Sequence, residues 1–323
     1  MDNINRENSK FPQDEKRNKW RAGLVYFVIL LIFGFLIQKI LDNWSQVLEI
    51  GVTFQPDFLS LSVILLFSYF FLLTLLWHLI TKSVGITLSL KENIYYWFLS
   101  QLGKYVPGKI VSIMSRSYFY KKKGFRISLT VSAFLLETLA GIISISLLSV
   151  ILIAHYVTRE LLYLIPILLF TLFLFYPQTV ELMVNLLNRI LGRQPIVLGV
   201  KMKDWLLLNF LYGLNFFLLA GGAFLFFCKS ILDFNGDGEQ TLFLIGSLGL
   251  SGVLGIIAFF TPSGLGIREA SLFFLLSKIM PEAEAAVIAV SSRVWLMCSE
   301  LILIGIIYCI FHLRDIFSKW TEH

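Results

Sequence analysis

The chain has 323 residues, of which 57% are hydrophobic and only 15% are charged, and its formal net charge is +6. These values exclude an ordinary water-soluble domain, in which about a quarter of the residues are charged. Apolar stretches of about 18 residues or more, long enough to cross a bilayer, recur along the whole chain. We therefore expect an all-α polytopic membrane protein with about 6–8 transmembrane helices and no nucleic-acid partner.

The predicted spans follow one another with little chain between them. In order they are Ala22–Ile40, Phe58–Ile80, Ile127–Ala154, Leu161–Tyr176, Trp205–Cys228, Thr241–Phe260 and Ala285–Phe311. They predict a single transmembrane domain over residues 22–312, with tails at residues 1–21 and 313–323. Lysine and arginine precede the first span and follow the last, whereas residues 41–57 contain neither. Because cytoplasmic loops are rich in these two residues, both termini are predicted to be cytoplasmic.

The first interruption of the apolar pattern lies in segment 93–120, around Gly103-Lys104-Tyr105-Val106-Pro107-Gly108-Lys109. Basic residues on both sides place both ends of the segment in the cytoplasm. The segment is too short for two full spans joined by a turn. It is predicted to form a re-entrant hairpin with Pro107 and Gly108 at its turn. The alternative is an amphipathic helix on the membrane surface.

The second interruption is Thr261-Pro262-Ser263-Gly264-Leu265-Gly266-Ile267-Arg268-Glu269, within residues 241–280. These residues form either a re-entrant element that enters from outside or one full span followed by a short one. Non-helical backbone survives within a bilayer only where protein buries it or where it lines a polar cavity. A pair of interrupted segments, one in each half, indicates a transporter's binding site. If the two hairpins enter from opposite sides, the halves form an inverted repeat, which is our hypothesis.

Three charged residues, Glu137, Arg293 and Glu300, lie inside predicted spans. A charge at the centre of a membrane helix costs about 2.5–3.5 kcal/mol on the insertion scale, so such residues usually face the bundle interior and pair or contact a substrate. The expected partner of Arg293 is Glu137 or Glu269. The expected partner of Glu300 is Lys109, Arg116 or Arg268. The alternative is that these charges only hold the bundle together.

A helix that begins after a Pro-Gly turn presents free backbone N–H groups and the positive end of its dipole, which favour an anion. Nearby cations suit a phosphate, and a lipid phosphate is the anion available at that depth. The predicted phosphate-binding residues are Lys104, Lys109, Arg116, Arg268 and Arg293. The carboxylates predicted to balance these cations or to exchange protons are Glu137, Glu269 and Glu300. The residues predicted to permit the broken backbone are Pro107, Gly108, Pro262, Gly264 and Gly266.

We predict no catalytic residue, metal or cofactor for this site. The sequence has no cysteine or histidine spacing typical of a metal centre. It also lacks the phosphate-binding motif GxxxxGK[ST], so a transport cycle would take its energy from an ion gradient or from the metabolism of the lipid.

The segment Gly103–Arg116, Glu137 in the following span and the run Pro262–Glu269 resemble the lysylphosphatidylglycerol synthase transmembrane family, also described as the flippase-like domain. The resemblance covers nearly the whole chain. One departure is that the chain reads Pro262-Ser263-Gly264 where the family usually has Pro-Gly-Gly. It implies a protein of a prokaryotic inner membrane that moves a phospholipid, an aminoacyl-phospholipid or a polyprenyl-phosphate-linked glycan between leaflets. The cytosolic domain of bifunctional members has no counterpart in this sequence, so aminoacyl transfer is not expected.

Two other functions stay open at this point. One is a membrane enzyme that modifies a lipid headgroup, with Glu137 or Glu269 as its general base. The other is a non-catalytic membrane subunit of a glycosyltransferase or an aminoacyl-lipid synthase. An enzyme is the less expected of these readings, because the sequence offers no nucleophile–base pair.

Overall fold

The computed structural model describes residues 54–105, 110–154, 156, 176–190, 201–232, 234–258, 261 and 264–321; side chains are not described at 105, 110, 187, 188 and beyond 311. The predicted spans Ala22–Ile40 and Leu161–Tyr176 lie outside these ranges apart from Tyr176. Within them the secondary structure is helical throughout, as expected. The helices are α1 (Pro56–Ser83), α2 (Leu90–Gln101), α3 (Ile110–Lys122), α4 (Ile127–Ile153), α5 (Pro177–Ile190), α6 (Met202–Asn215), α7 (Gly222–Leu232), α8 (Gly238–Ile257), α9 (Ile267–Leu276) and α10 (Glu282–Thr321).

Five helical stretches in the described residues are long and apolar enough to cross a membrane. They are Pro56–Ser83, Ile127–Ile153, Met202–Leu232, Gly238–Ile257 and Glu282–Phe311. Each coincides with one of the predicted spans and is a few residues longer or shorter at its ends. The chain is therefore a polytopic helical membrane protein.

The segment that carries the first interruption forms two short helices, α2 and α3, which pack against each other. Ser89 begins α2 with a capping box: its hydroxyl accepts a hydrogen bond from the Glu92 N–H, and the Glu92 carboxylate accepts one from the Ser89 N–H. A 3₁₀ turn, Leu102–Tyr105, follows α2. Gly103 lets this turn approach α3, because a Cβ at Gly103 would lie 2.7 Å from the Cα of Ser112.

The hairpin of α2 and α3 lies beside the interior of a span. Trp97 of α2 and Arg116 of α3 both hydrogen-bond to Glu137. Glu137 is ten residues into α4, or about 15 Å along the helix from Ile127. These contacts in the middle of α4 agree with a re-entrant hairpin, which stays a prediction.

The second interrupted segment forms one helix of span length, α8, followed by the ten-residue helix α9. The order of a span-length helix and a short helix agrees with the second interpretation of residues 241–280, and the choice between crossing and re-entering stays a prediction. Asp237 begins α8 with a capping box to Gln240. Helix α9 packs against both α8 and α10. Both halves thus have the order helix, break, short helix, long charged helix, while the inverted relation between them stays a prediction.

Small residues bring the central helices close together. Helix α8 packs along α4, where a Cβ at Gly249 would lie 2.1 Å from Ser149 Oγ. The span Met202–Leu232 contains a π-helical segment, Phe216–Gly221, between α6 and α7. Such segments are rare and often mark functional sites. The π-helical segment packs against both α1 and α8.

Candidate functional site

Arg116 and Glu137 form the first part of the site. Arg116 Nη1 lies 2.5 Å from Glu137 Oε2, and Arg116 Nε donates to Ser100 Oγ at 2.9 Å. The other carboxylate oxygen of Glu137 accepts a hydrogen bond of 2.6 Å from Trp97 Nε1. Arg116 is buried, and its guanidinium lies 4.2 Å from the ring centre of Trp77, where a cation–π interaction also stabilises it.

A buried hydrogen-bond network fixes the position of Trp77. Its Nε1 donates to the Tyr120 hydroxyl at 2.8 Å, and Tyr120 donates in turn to Asn93 Oδ1. The amide nitrogen of Asn93 then contacts His78 Nδ1 at 2.7 Å and Thr81 Oγ1 at 3.3 Å. Because Trp77, Tyr120 and Asn93 are fully buried, each of these hydrogen bonds is costly to lose.

Lys104 and Glu300 join the first interruption to the last span. Lys104 lies in the 3₁₀ turn, and its Nζ forms an ion pair with Glu300 of α10. The Glu300 side chain is 0% exposed, whereas that of Lys104 is 25% exposed. The sequence had assigned Lys109, Arg116 or Arg268 as the partner of Glu300. Arg116 pairs with Glu137 instead, Arg268 interacts with Glu300 only electrostatically, and Lys109 lies outside the described residues.

The second interruption brings Glu269 next to Arg293. Gly264 and Gly266 have φ of +72° and +86°, a region that non-glycine residues rarely adopt. This turn lets the Gly266 N–H donate to Glu269 Oε2 at 2.6 Å at the start of α9. The other oxygen, Oε1, lies 3.6 Å from Arg293 Nε, which is too long for a hydrogen bond. Glu269 is thus the nearer of the two partners considered for Arg293.

Arg293 is 5% exposed, yet two of its guanidinium nitrogens, Nε and Nη2, have no hydrogen-bond partner among the described residues. The same holds for Glu269 Oε1. Buried polar groups are nearly always hydrogen-bonded, so each orphaned group needs an explanation. A missing acceptor beside a buried guanidinium is the type of vacancy that an anionic ligand fills.

Tyr69 of α1 lies near charged residues from both interruptions. Tyr69 interacts electrostatically with Arg268, Glu300 and Glu137, which belong to three different helices. Arg268, which is half-buried at the start of α9, interacts in the same way with Arg293, Glu269 and Glu300. We call the charged set the polar cluster. It consists of Lys104, Arg116, Glu137, Arg268, Glu269, Arg293 and Glu300.

Sequence reasoning missed five uncharged residues of this region: Tyr69, Trp97, Ser100, Tyr212 and Asn215. Tyr212 interacts electrostatically with Glu137, Tyr69 and Arg116. Asn215 Nδ2 donates to the Tyr69 carbonyl at 3.4 Å. A signal was present for two of them, because Asn209, Tyr212 and Asn215 recur at helical spacing in an otherwise apolar span. Tyr69, a lone tyrosine among apolar residues, carried none.

Tyr212 and Asn215 add buried polar atoms to the same region. The Tyr212 hydroxyl and Asn215 Oδ1 both lack a hydrogen-bond partner among the described residues. Of the predicted site residues, Pro107, Gly108, Lys109 and Pro262 lie outside the described ranges. The remaining charged site residues lie within the described ranges and are the ones that make up the polar cluster. The described residues contain no group of three or more His, Cys, Asp or Glu side chains placed to bind a metal.

A family comparison agrees with the arrangement of interrupted helices and buried charges. The family described as lysylphosphatidylglycerol synthase TM region matches residues 22–298. The chain belongs to this family. No curated protein and no solved structure matches the chain. As a member of this family, the chain is a membrane protein related to lipids, and every residue of its polar cluster except Glu300 falls within the matched range.

Chemically, the polar cluster is a set of cations that its own carboxylates do not fully satisfy. Among the described residues it holds four basic side chains and three acidic ones. Arg116 and Lys104 have close carboxylate partners, whereas Arg293 has only the distant Glu269. In a low-dielectric bundle, an incompletely paired guanidinium attracts an anion strongly. An anion at the Arg293 end would satisfy the guanidinium nitrogens that lack an acceptor.

Proposed function

We propose that the protein binds the phosphate of a membrane lipid in the polar cluster and translocates that lipid between leaflets. The observation that carries this proposal is Arg293, whose buried guanidinium has two nitrogens without an acceptor. Hydrogen bonds to charged groups contribute about 1.5–3 kcal/mol each, and an orphaned buried donor costs a similar amount. A lipid phosphate supplies oxygen acceptors and a charge opposite to that of the guanidinium.

The position of the cluster favours a lipid as the source of the phosphate. Arg293 and Glu300 lie within the candidate span Glu282–Phe311, and Glu137 lies within Ile127–Ile153. A phosphate that reaches residues at that depth has to travel with a hydrocarbon anchor or through a polar path. In this proposal the interrupted segments supply such a path, because non-helical backbone at membrane depth is either buried in protein or lines a polar cavity.

We assign distinct roles to the cations and carboxylates of the cluster. Arg293 of α10 and Arg268 at the start of α9 contact the phosphate. Lys104 and Arg116 attract the phosphate from the side of the first interruption. Glu269 and Glu300 hold the cations while the site is empty and release them when the phosphate arrives. Glu137 keeps Arg116 in place, since both of its oxygens accept hydrogen bonds. Lys109 belongs to the same set by sequence.

The proposal includes the setting of the protein. We place it in the inner membrane of a prokaryotic cell, as the family resemblance implies. Both termini are placed in the cytoplasm because of the distribution of Lys and Arg. The lipid is a phospholipid, an aminoacyl-phospholipid or a polyprenyl-phosphate-linked glycan. A glycosyltransferase or lipid synthase that makes this lipid is the expected protein partner.

The test is lipid translocation in vesicles that contain the purified full-length protein. Fluorescent phosphatidylglycerol is reconstituted symmetrically, and an impermeant reductant reports how fast the inner pool becomes accessible. We expect Arg293→Gln to lower the protein-dependent rate about tenfold or more, the factor that matches loss of one charge-assisted hydrogen bond. Arg189→Gln, at an exposed position of α5, is the matched control and should translocate like the wild type.

Two results would contradict the proposal. One is a wild-type rate equal to that of protein-free vesicles. The other is a folded Arg293→Gln variant that translocates at the wild-type rate. Mass spectrometry of the same vesicles tests the enzyme alternative, because a chemically altered headgroup without translocation would assign the site to modification instead.

A further inference from the structure

A groove of about 380 Å³ lies between α4 and the α6–π segment. It is distinct from the polar cluster. The residues that line it are Ile143, Ser144, Leu147, Leu148, Ile151, Leu206, Asn209, Phe210, Gly213, Leu214 and Phe217. Nine of these eleven lack a polar side chain, so the groove has the chemistry of a hydrocarbon site.

The two polar side chains of the groove are satisfied within the protein. The Ser144 hydroxyl donates to the Ala140 carbonyl at 2.7 Å and lies 3.1 Å from Asn209 Oδ1. The Asn209 amide donates to the Trp205 carbonyl at 2.8 Å. Neither residue has a buried side-chain atom without a partner. The groove therefore presents mainly apolar atoms to a ligand, which favours a hydrocarbon chain over a headgroup as its occupant.

The groove opens at the surface that faces the membrane. Ile151 and Phe210 at its rim are each 64% exposed, and both belong to candidate spans. The medium outside a span is lipid hydrocarbon, so one hydrocarbon chain is the occupant that fits this lining.

One stripe of α4 connects the groove to the polar cluster. Glu137, Gly141, Ser144, Leu148 and Ile151 follow the three- and four-residue spacing of a single helix face. Ser144 is seven residues from Glu137, or about 10 Å along the axis. Gly141 stands between them, and a Cβ added there would meet nothing within 4 Å, so the stripe is open at this point.

The opposite wall of the groove makes the same connection. Gly213 lines the groove, and a Cβ at this position would lie 3.8 Å from Ser144 Cβ. The preceding residue, Tyr212, interacts electrostatically with Glu137 and Arg116. The polar cluster and the groove are therefore adjacent on both helices.

We infer that the groove holds one hydrocarbon chain of the same lipid whose phosphate binds the polar cluster. This inference rests on the proposed function. The chain anchors the lipid while its headgroup occupies the bundle interior. Gly141, where an added Cβ would meet nothing within 4 Å, leaves room on α4 for the link between headgroup and chain.

Photo-crosslinking tests the inference with two probes that have the same acyl chains and a diazirine near the chain end. One probe is phosphatidylglycerol, and the other is an uncharged glycosyldiacylglycerol. In vesicles with the full-length protein, we expect peptides from residues 143–151 and 206–217 to be labelled about threefold or more by the phosphate-bearing probe relative to the uncharged one. Arg293→Gln should lower this labelling to the level of the uncharged probe, because the chain is placed by the phosphate.

Variants that fill the groove complete the test. Gly213→Phe should lower groove labelling and translocation by about fivefold or more, and Leu148→Trp repeats the test from α4 in case Gly213→Phe does not fold. Ile302→Phe, 55% exposed on α10, is the control and should change neither. Equal labelling by both probes that Arg293→Gln does not alter, with translocation intact, would overturn the inference and leave the proposed function standing. Absence of translocation and of any phosphate preference would overturn both.

Discussion

The hydroxyl of Tyr120 shows how a single atom supports the site at the residue scale. It accepts from Trp77 and donates to Asn93, and Trp77 in turn lies against the Arg116 guanidinium. Arg116 thus depends on a chain of contacts that ends at the C-terminal part of α1, where His78 and Thr81 contact Asn93. The position of Arg116 in the polar cluster thus depends on the uncharged residues Trp77, Tyr120 and Asn93.

Tyr120→Phe should lower the free energy of unfolding by about 1–3 kcal/mol, because it leaves the Trp77 N–H and Asn93 Oδ1 buried without partners. Thermal unfolding in detergent, followed by tryptophan fluorescence, measures this change. The matched control is Tyr118→Phe, since Tyr118 is 53% exposed. Equal melting temperatures for the two variants would show that the buried hydroxyl adds no stability.

Gly264 allows a second residue-scale prediction. Its φ is +72°, and a Cβ there would lie 2.7 Å from backbone atoms of Gly255. Gly264→Ala should therefore cost more than the roughly 1 kcal/mol typical of a strained positive-φ site and should reduce the yield of monodisperse protein. Gly252→Ala is the control, because a Cβ at Gly252 meets nothing within 4 Å. A Gly264→Ala protein as stable as Gly252→Ala would contradict the turn described here.

At the element scale, the Lys104–Glu300 ion pair fastens the hairpin of α2 and α3 to α10. Breaking a buried pair from one side costs about 3–5 kcal/mol, because it leaves a buried charge uncompensated. We expect Lys104→Glu and Glu300→Lys each to lower stability and translocation. The double reversal should recover a large part of both. A double variant no better than the worse single variant would show that the pair does not join these elements.

The start of α2 gives a pH-dependent prediction. Hydrogen bonds from Lys123 and Ser89 hold the pKa of Glu92 below its ordinary value of 4.5. Because the folded pKa lies below the unfolded one, the stabilisation is fully present above the unfolded pKa and is lost as the pH falls through the folded pKa. Proteolysis of the region between α2 and α4 should thus accelerate below about pH 4.5 in the wild type. Glu92→Gln should already show the faster rate at pH 7, and a pH profile identical to the wild type would contradict this role.

Most of the elements were predictable, whereas their pairing was not. The spans follow from apolar length alone, and the interruptions follow from Pro and Gly beside charge. Lys104 was named as a cation of the site, but its partner Glu300 lies 196 residues away, and local spacing holds no information about such a contact. The partner of Arg116 was equally unpredictable from the sequence, because only the packing of α3 against α4 brings Arg116 to Glu137.

At the scale of the whole molecule, the fold brings charged residues from the two interruptions, which are far apart in sequence, into the same region of the bundle. Tyr69 of α1 lies within electrostatic reach of Glu137 from the first half and of Arg268 and Glu300 from the second. The π-helical segment beside α1 brings Tyr212 and Asn215 to the same region. Arg293 and Glu269 hold buried charged atoms without hydrogen-bond partners among the described residues, and a bound headgroup would satisfy those of Arg293.

The most direct test of this account compares two fluorescent lipids in vesicles with the wild-type protein and with Arg293→Gln. One lipid is phosphatidylglycerol and the other is an uncharged glycosyldiacylglycerol with the same chains. If the polar cluster binds the lipid phosphate, the wild type should translocate phosphatidylglycerol about tenfold or more faster than the glycolipid, and Arg293→Gln should abolish that preference. Equal rates for the two lipids in the wild type, or a preference that survives in a folded Arg293→Gln protein, would contradict the account.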